Sequence, residues 1–226
     1  MKNKINDIQE YVELTNIKPD CKAKDVKELC KSASEGYCRS VVVNPEWVHL
    51  ARTTLKNLGR EDIIVVQVYG FPTSNVDLVD GDEVDVFIKI KGLSKNKRLT
   101  QTAEKLVDLA LRRIESQGVS RDKIKAVIET KVLPEKDVIA ICRILCKLKI
   151  GYIKSSTGLF DRTNNRTNLQ DLKLIKKGVK IFGVGRKYLG MYQPKIKISG
   201  GIRTKEDAIE LLKNGADLVG TSKVLK

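Results

Sequence analysis

The fold class that the sequence predicts is α/β, a closed (β/α)8 barrel (TIM barrel) of eight parallel strands. Three observations predict it. Short β-branched runs alternate with helical patterns along the chain, the signature of parallel βα units. These runs number eight once a short early one is counted. Polar and small turn residues gather where the runs end, on the barrel face that carries chemistry in this architecture. An open, doubly wound sheet fits the same alternation. The 226 residues are expected to form a single domain, 1–226, since 41% hydrophobic residues are too many for a disordered chain.

The early run lies around YVELTN (11–16). SVVVNP (40–45) follows, ending at Asn44 and Pro45, an expected helix N-cap with proline at the first helical position. The helix PEWVHLARTTLKNLG then closes at Gly59. Further strands are expected at IIVVQVYGFP (63–72), EVDVFIKI (83–90), IKAVIET (124–130), YIKSSTG (152–158), KIKISGG (195–201) and LVGTS (218–222). Helical stretches between them include 100–117, 135–148 and 205–214, the last introduced by Thr204 with Asp207 three residues on and stopped by Gly215.

Composition narrows the function classes. No run approaches the roughly 20 apolar residues that cross a bilayer, and the N-terminal MKNKINDIQEYVEL carries neither a signal-peptide segment nor a transit-peptide deficit of acids, so a cytoplasmic protein is expected. Five cysteines without C-x-x-C spacing, and one histidine, point to buried thiols rather than a disulfide framework or a metal site. The net charge of +15 favours acidic partners, whether phosphorylated metabolites, nucleic acid or anionic lipid, and does not choose among them. The lysines are scattered and aromatics make up only 5%, which leaves no stacking platform for single strands. Nucleic acid is therefore the alternative partner, not the leading one.

At the expected strand ends stand Asn44, Gly70, Asp85, Lys125, Glu129, Lys154, Thr157, Lys197, Gly200, Gly201, Gly220 and Ser222. If Lys154, Lys125 and Lys197 share one barrel mouth, two ammonium groups about 4 Å apart at an effective dielectric of about 20 repel by roughly 4 kcal/mol, enough to lower one pKa by about three units. A neutral amine attacks a carbonyl and forms an iminium, an electron sink for breaking an adjacent carbon–carbon bond. Asp85 could relay protons through water, and no metal or organic cofactor is required. The glycine turns SGGIRT and GTS expose backbone N–H groups where barrels commonly hold a phosphate.

VVVNPEWVHLA, VQVYGFP, GDEVDVFI, IKAVIET, YIKSSTG, KISGGIRTKEDA and GADLVGTS occur in the order and form found in deoxyribose-phosphate aldolase, a class I (lysine-dependent) family, and the resemblance runs from about residue 8 to the end. It implies that Lys154 is the Schiff-base lysine, Lys197 the second lysine that lowers its pKa, Asp85 the acid–base partner and Lys125 a further lysine near the site. Thr157, Gly158, Gly200, Gly201, Gly220 and Ser222 would surround the substrate and its phosphate. The implied substrate is a small phosphorylated sugar, 2-deoxy-D-ribose 5-phosphate, cleaved reversibly to glyceraldehyde 3-phosphate and acetaldehyde.

The chain also departs from the pattern. Only Pro72 to Asp82 separates the third and fourth strands, so a shortened crossover is expected there, and with four residues after Ser222 no full final helix is expected. Apolar surface bared by these losses invites a partner such as a homodimer contact. A catalytically impaired scaffold, or a basic nucleic-acid-binding protein, is the alternative. Glu13 stands where the family usually has Asp, Val42 where a Cys is common, and Leu159 where some members are basic. The stretch 178–194 is longer than usual and is expected on the face away from chemistry.

Overall fold

Alternation decides what faces inward in a barrel of parallel strands, because successive side chains point to opposite faces of the sheet. In the computed structural model, which describes residues 8–70, 78–88, 92, 97–161, 163–183 and 193–225, all eight expected strands form. They are β1 (Val12–Asn16), β2 (Ser40–Val43), β3 (Ile64–Tyr69), β4 (Glu83–Phe87), β5 (Ile124–Val127), β6 (Tyr152–Lys154), β7 (Lys195–Ser199) and β8 (Leu218–Thr221). They pair in parallel in chain order, and β8 returns to β1 to close the barrel. The open-sheet alternative is thereby excluded.

The helices around it are α1 (Ala23–Glu35), α2 (Val48–Asn57), α3 (Lys97–Glu115), α4 (Glu135–Lys147), α5 (Asn168–Gly183) and α6 (Lys205–Lys213). Their apolar faces join the outward residues of the strands, such as Leu14, Val41, Val84 and Ile153, in one core cluster. Each such side chain contributes roughly 1.5–3 kcal/mol when fully buried. A smaller cluster of Ile17, Val42, Val66 and Val68 fills part of the barrel interior.

Two helix starts were expected from sequence, and they come out differently. Thr204 caps α6 by accepting a hydrogen bond from the Asp207 N–H at 3.1 Å. Asn44 does not cap: Pro45–Trp47 form a 3-10 turn, α2 begins only at Val48, and the Asn44 amide donates instead to the Lys18 carbonyl at 3.2 Å. The buried side chain thus ties the end of β2 to the loop after β1.

Several strands are also shorter than expected: β3, β6 and β7 stop before Gly70, Ser155 and Gly200, and β5 stops before Ile128. Of the crossover from Pro72 to Asp82, residues 71–77 lie outside the described residues, and 78–82 contain no helix. Residues 222–225 after β8 contain none either. Part of the stretch 178–194 belongs to α5, and 184–192 lie outside the described residues. No helix among the described residues is long and apolar enough to cross a membrane.

Candidate active site

Lys154 is the last residue of β6 and the register partner of Lys197 on β7, while Asp85 on β4 is the partner of Lys125 on β5. Their neighbours in sequence, Val84 and Val86, Ile153, Ile196 and Ile198, belong to the outer core, so the charged members of each strand point into the barrel. All three lysines and Asp85 are buried.

One carboxylate oxygen joins the two expected catalytic lysines. Asp85 Oδ2 accepts from Lys154 Nζ at 2.6 Å and from Lys197 Nζ at 3.0 Å, so the two nitrogens can be no further apart than those bonds laid end to end. Asp85 Oδ1 makes no hydrogen bond and lies 3.8 Å from Lys125 Nζ. Burial opposes the Asp85 charge, but Lys154, Lys197 and Lys125 outweigh it and hold the carboxyl far below its ordinary range.

The Lys154 amine is lowered from 10.5 to about 8. Burial is the leading cause, with Lys197 adding to it and Asp85 opposing. Charge crowding, expected from the sequence to be the main effect, is therefore secondary to burial. Lys197 moves the other way: burial works against its charge, yet Asp85 and Glu13 together raise its pKa. The distinction follows from partners. Lys197 pairs with both Glu13 and Asp85, whereas among the described residues Lys154 pairs only with Asp85.

Lys125 lies deeper than expected. It does not reach the mouth but is held by Glu83, by Glu13 at 3.4 Å and by Asp85 at 3.8 Å, with its Nζ 5.7 Å from the centre of the Tyr152 ring. Beneath it Arg39, just before β2, binds Glu13 at 2.7 Å and forks onto Glu83 at 2.6 and 3.1 Å. Glu13, Arg39 and Glu83 are functional-site neighbours that strand-end reasoning missed. Their signal was present in Glu13 and Glu83, acidic residues at inward positions of apolar strands.

Above the lysines the chain is fastened by hydroxyls. Ser155 Oγ donates to the Ser199 carbonyl at 3.2 Å and accepts from the Ser199 N–H at 3.0 Å, and Ser199 Oγ donates to the Ser156 carbonyl. Glu129, in left-handed backbone at φ 51°, accepts from Ser156 Oγ at 2.9 Å and from the Thr157 N–H at 2.5 Å. This side-chain clasp between β5, β6 and β7 explains why hydroxyl residues follow Lys154, and it holds both lysine-bearing strand ends in place.

Lys154, Thr157, Gly158, Gly200, Gly201, Gly220 and Ser222 line one cleft of about 1150 Å³. Asp85, Lys125 and Lys197 sit behind its wall. Gly158, Gly200 and Gly201 have φ of 82°, 93° and 79°, which favours glycine. The Gly158 N–H is already bound to Ser156 Oγ at 2.9 Å. Gly220 is needed for space instead, since a Cβ there would lie 2.9 Å from Ser199 Cβ and 3.2 Å from Lys197 Cε, and its bareness makes room for the lysine stem. Phe87, the last residue of β4, and Phe160 of the β6–α5 loop stack with ring centres 5.6 Å apart. A smaller depression of about 420 Å³ at Arg121, Asp122 and Lys147–Lys149 lies before β5, at the other end of the barrel. Among the described residues no group of three or more His, Cys, Asp or Glu could hold a metal ion.

A buried amine of lowered pKa, bridged by a carboxylate to a second lysine beneath a cleft at the strand C-termini of a (β/α)8 barrel, defines the lysine-dependent aldolases. No family model matches the chain. It is 32% identical over 234 residues to the deoxyribose-phosphate aldolase of Thermotoga maritima, covering 98% of this chain and 85% of that one. It is 30% identical over 230 residues to that of Caldicellulosiruptor saccharolyticus, covering 96% and 94%. Among solved structures it resembles QR15, an aldolase, at TM-score 0.73 and 26% identity over 97% of this chain and 94% of that one. The tetrameric deoxyribose phosphate aldolase of Aeropyrum pernix shares the fold at TM-score 0.72 and 21% identity, covering 96% and 87%. The chain belongs to the deoxyribose-phosphate aldolase family.

Proposed function

We propose that the protein cleaves 2-deoxy-D-ribose 5-phosphate reversibly to glyceraldehyde 3-phosphate and acetaldehyde through a Schiff base on Lys154. The observation that carries this is the buried Lys154 amine, lowered to about 8 and lining the cleft, while its neighbour Lys197 keeps its proton. The neutral amine attacks the C1 carbonyl of the open-chain sugar and water leaves, giving the iminium. Loss of the C3 hydroxyl proton drives cleavage of the C2–C3 bond, and the electron pair is taken up by the iminium to give an enamine. Glyceraldehyde 3-phosphate departs, the enamine is protonated at C2, and water releases acetaldehyde and the free amine.

Asp85 bridges the two amines and is the path along which a proton passes between them. Lys197 is the resident acid. Lys125 acts from below by holding Glu13, Glu83 and Asp85 in place. Thr157, Gly158, Gly200, Gly201 and Ser222 surround the phosphate end, with Arg203 and Lys223 on the same cleft to balance its charge. Gly220 serves the reaction by clearing space for Lys197.

Incubation with deoxyribose 5-phosphate and borohydride is expected to leave a mass adduct on Lys154, and Lys154→Ala is expected to lose both the adduct and turnover. Folded parent protein that stays unmodified while a competent aldolase is labelled would overturn the reading.

A further inference from the structure

The barrel interior is not electrically even. Among the described residues, Arg39, Lys125, Lys154 and Lys197 pair only with Glu13, Glu83 and Asp85, in one connected set. With every group ionised the set carries a surplus positive charge in a dry place, and loss of one proton removes it. Three of the cations are well compensated, Arg39 as a guanidinium that stays charged, and Lys125 and Lys197 because each contacts two or three carboxylates. Lys154 has one carboxylate and yields.

From this we infer that Arg39, at the barrel end opposite the cleft, is a positioning residue that supplies the surplus charge by which Lys154, and no other amine, becomes the nucleophile. Its side chain is 19% exposed and its only ionic partners among the described residues are Glu13 on β1 and Glu83 on β4. By engaging those carboxylates it leaves them less free to neutralise Lys125 and Lys197. The charged groups that act on Lys154 are Glu13 from β1, Asp85 from β4 and Lys197 from β7. Without Arg39 three lysines would meet three carboxylates, and all could stay protonated.

The inference rests on Lys154 being the Schiff-base lysine, and the test separates the two. Acetaldehyde with cyanoborohydride forms an iminium, with loss of water, and reduces it by hydride transfer to an N-ethyl amine; the rate at Lys154 is read by mass spectrometry across pH. Arg39→Gln is expected to move the midpoint up by on the order of one pH unit, since it removes a unit of positive charge from the same buried set. Arg39→Lys is expected to restore it. Glu83→Gln, which removes the opposite charge from the same set, is expected to move it down, and it decides the matter if Arg39→Gln does not fold. Unchanged midpoints in folded variants, or both glutamine variants moving the same way, overturn the inference. Parent protein that is not labelled at Lys154 overturns instead the function on which it rests.

Discussion

At the scale of single residues, the site depends as much on an absent side chain as on those present. Gly220 faces Lys197 Cε and Ser199 Cβ at distances a methyl group cannot share with both. Gly220→Ala is therefore expected to cost about 1–3 kcal/mol by overpacking and to displace the Lys197 stem. Urea unfolding together with the rate of borohydride trapping would show both losses; a variant equal to the parent in each would show that the stem has slack. The same scale shows what could be read in advance. Lys154, Lys197 and Asp85 were legible because inward positions on the strands of a barrel converge on its axis, although only Lys154 proves to end its strand. Arg39 was not, because a cation just before a strand looks like any solvated side chain until its partners, 26 and 44 residues away, are known.

At the scale of elements, the β6–α5 loop is moored from below. Asp171 of α5 pairs with Lys131 at 2.6 Å and with Arg166 at 2.9 Å, and Arg166 donates to the carbonyls of Thr130 and Leu133. Thr163 and Asn164 add hydrogen bonds to Lys131. The loop carrying Thr157, Gly158 and Phe160 is thus tied to the turn after β5. Since Lys131 and Asp171 are both buried, Asp171→Asn leaves a cation poorly compensated and is expected to cost about 3–5 kcal/mol. A midpoint in denaturant equal to the parent's would contradict this. The strands were legible from their β-branched runs, but the hydroxyl clasp of Ser155, Ser156 and Ser199 was not, because the residues look like ordinary turn formers. Asn44 misled for the same reason: its type suits a cap, but a carbonyl of another loop competed for its amide and won.

At the scale of the whole molecule, the barrel is built around ionised carboxylates, and this sets its response to acid. Burial pushes Glu13 up, but Lys125, Lys197 and Arg39 bring it down to about 2, and Asp85 falls lower still. A carboxylate whose pKa drops on folding stabilises the fold above its unfolded value and loses that contribution as pH falls through the folded one. Stability is therefore expected to decline from about pH 4.5 towards pH 2, with Glu13→Gln flattening the decline. Unfolding midpoints measured over that range would check it, and a decline equally steep in the variant would count against Glu13 as a source. The order of the eight strands was legible in the sequence, whereas this internal salt lattice was not, since it exists only once β1, β4, β5, β6 and β7 stand around one axis.

The stacked rings of Phe87 and Phe160 join the end of β4 to the β6–α5 loop. Two aromatic plates held face to face bind the segment that follows Lys154 to a strand two before β6 in the chain, so a change at either ring would be felt by a part of the molecule remote in sequence.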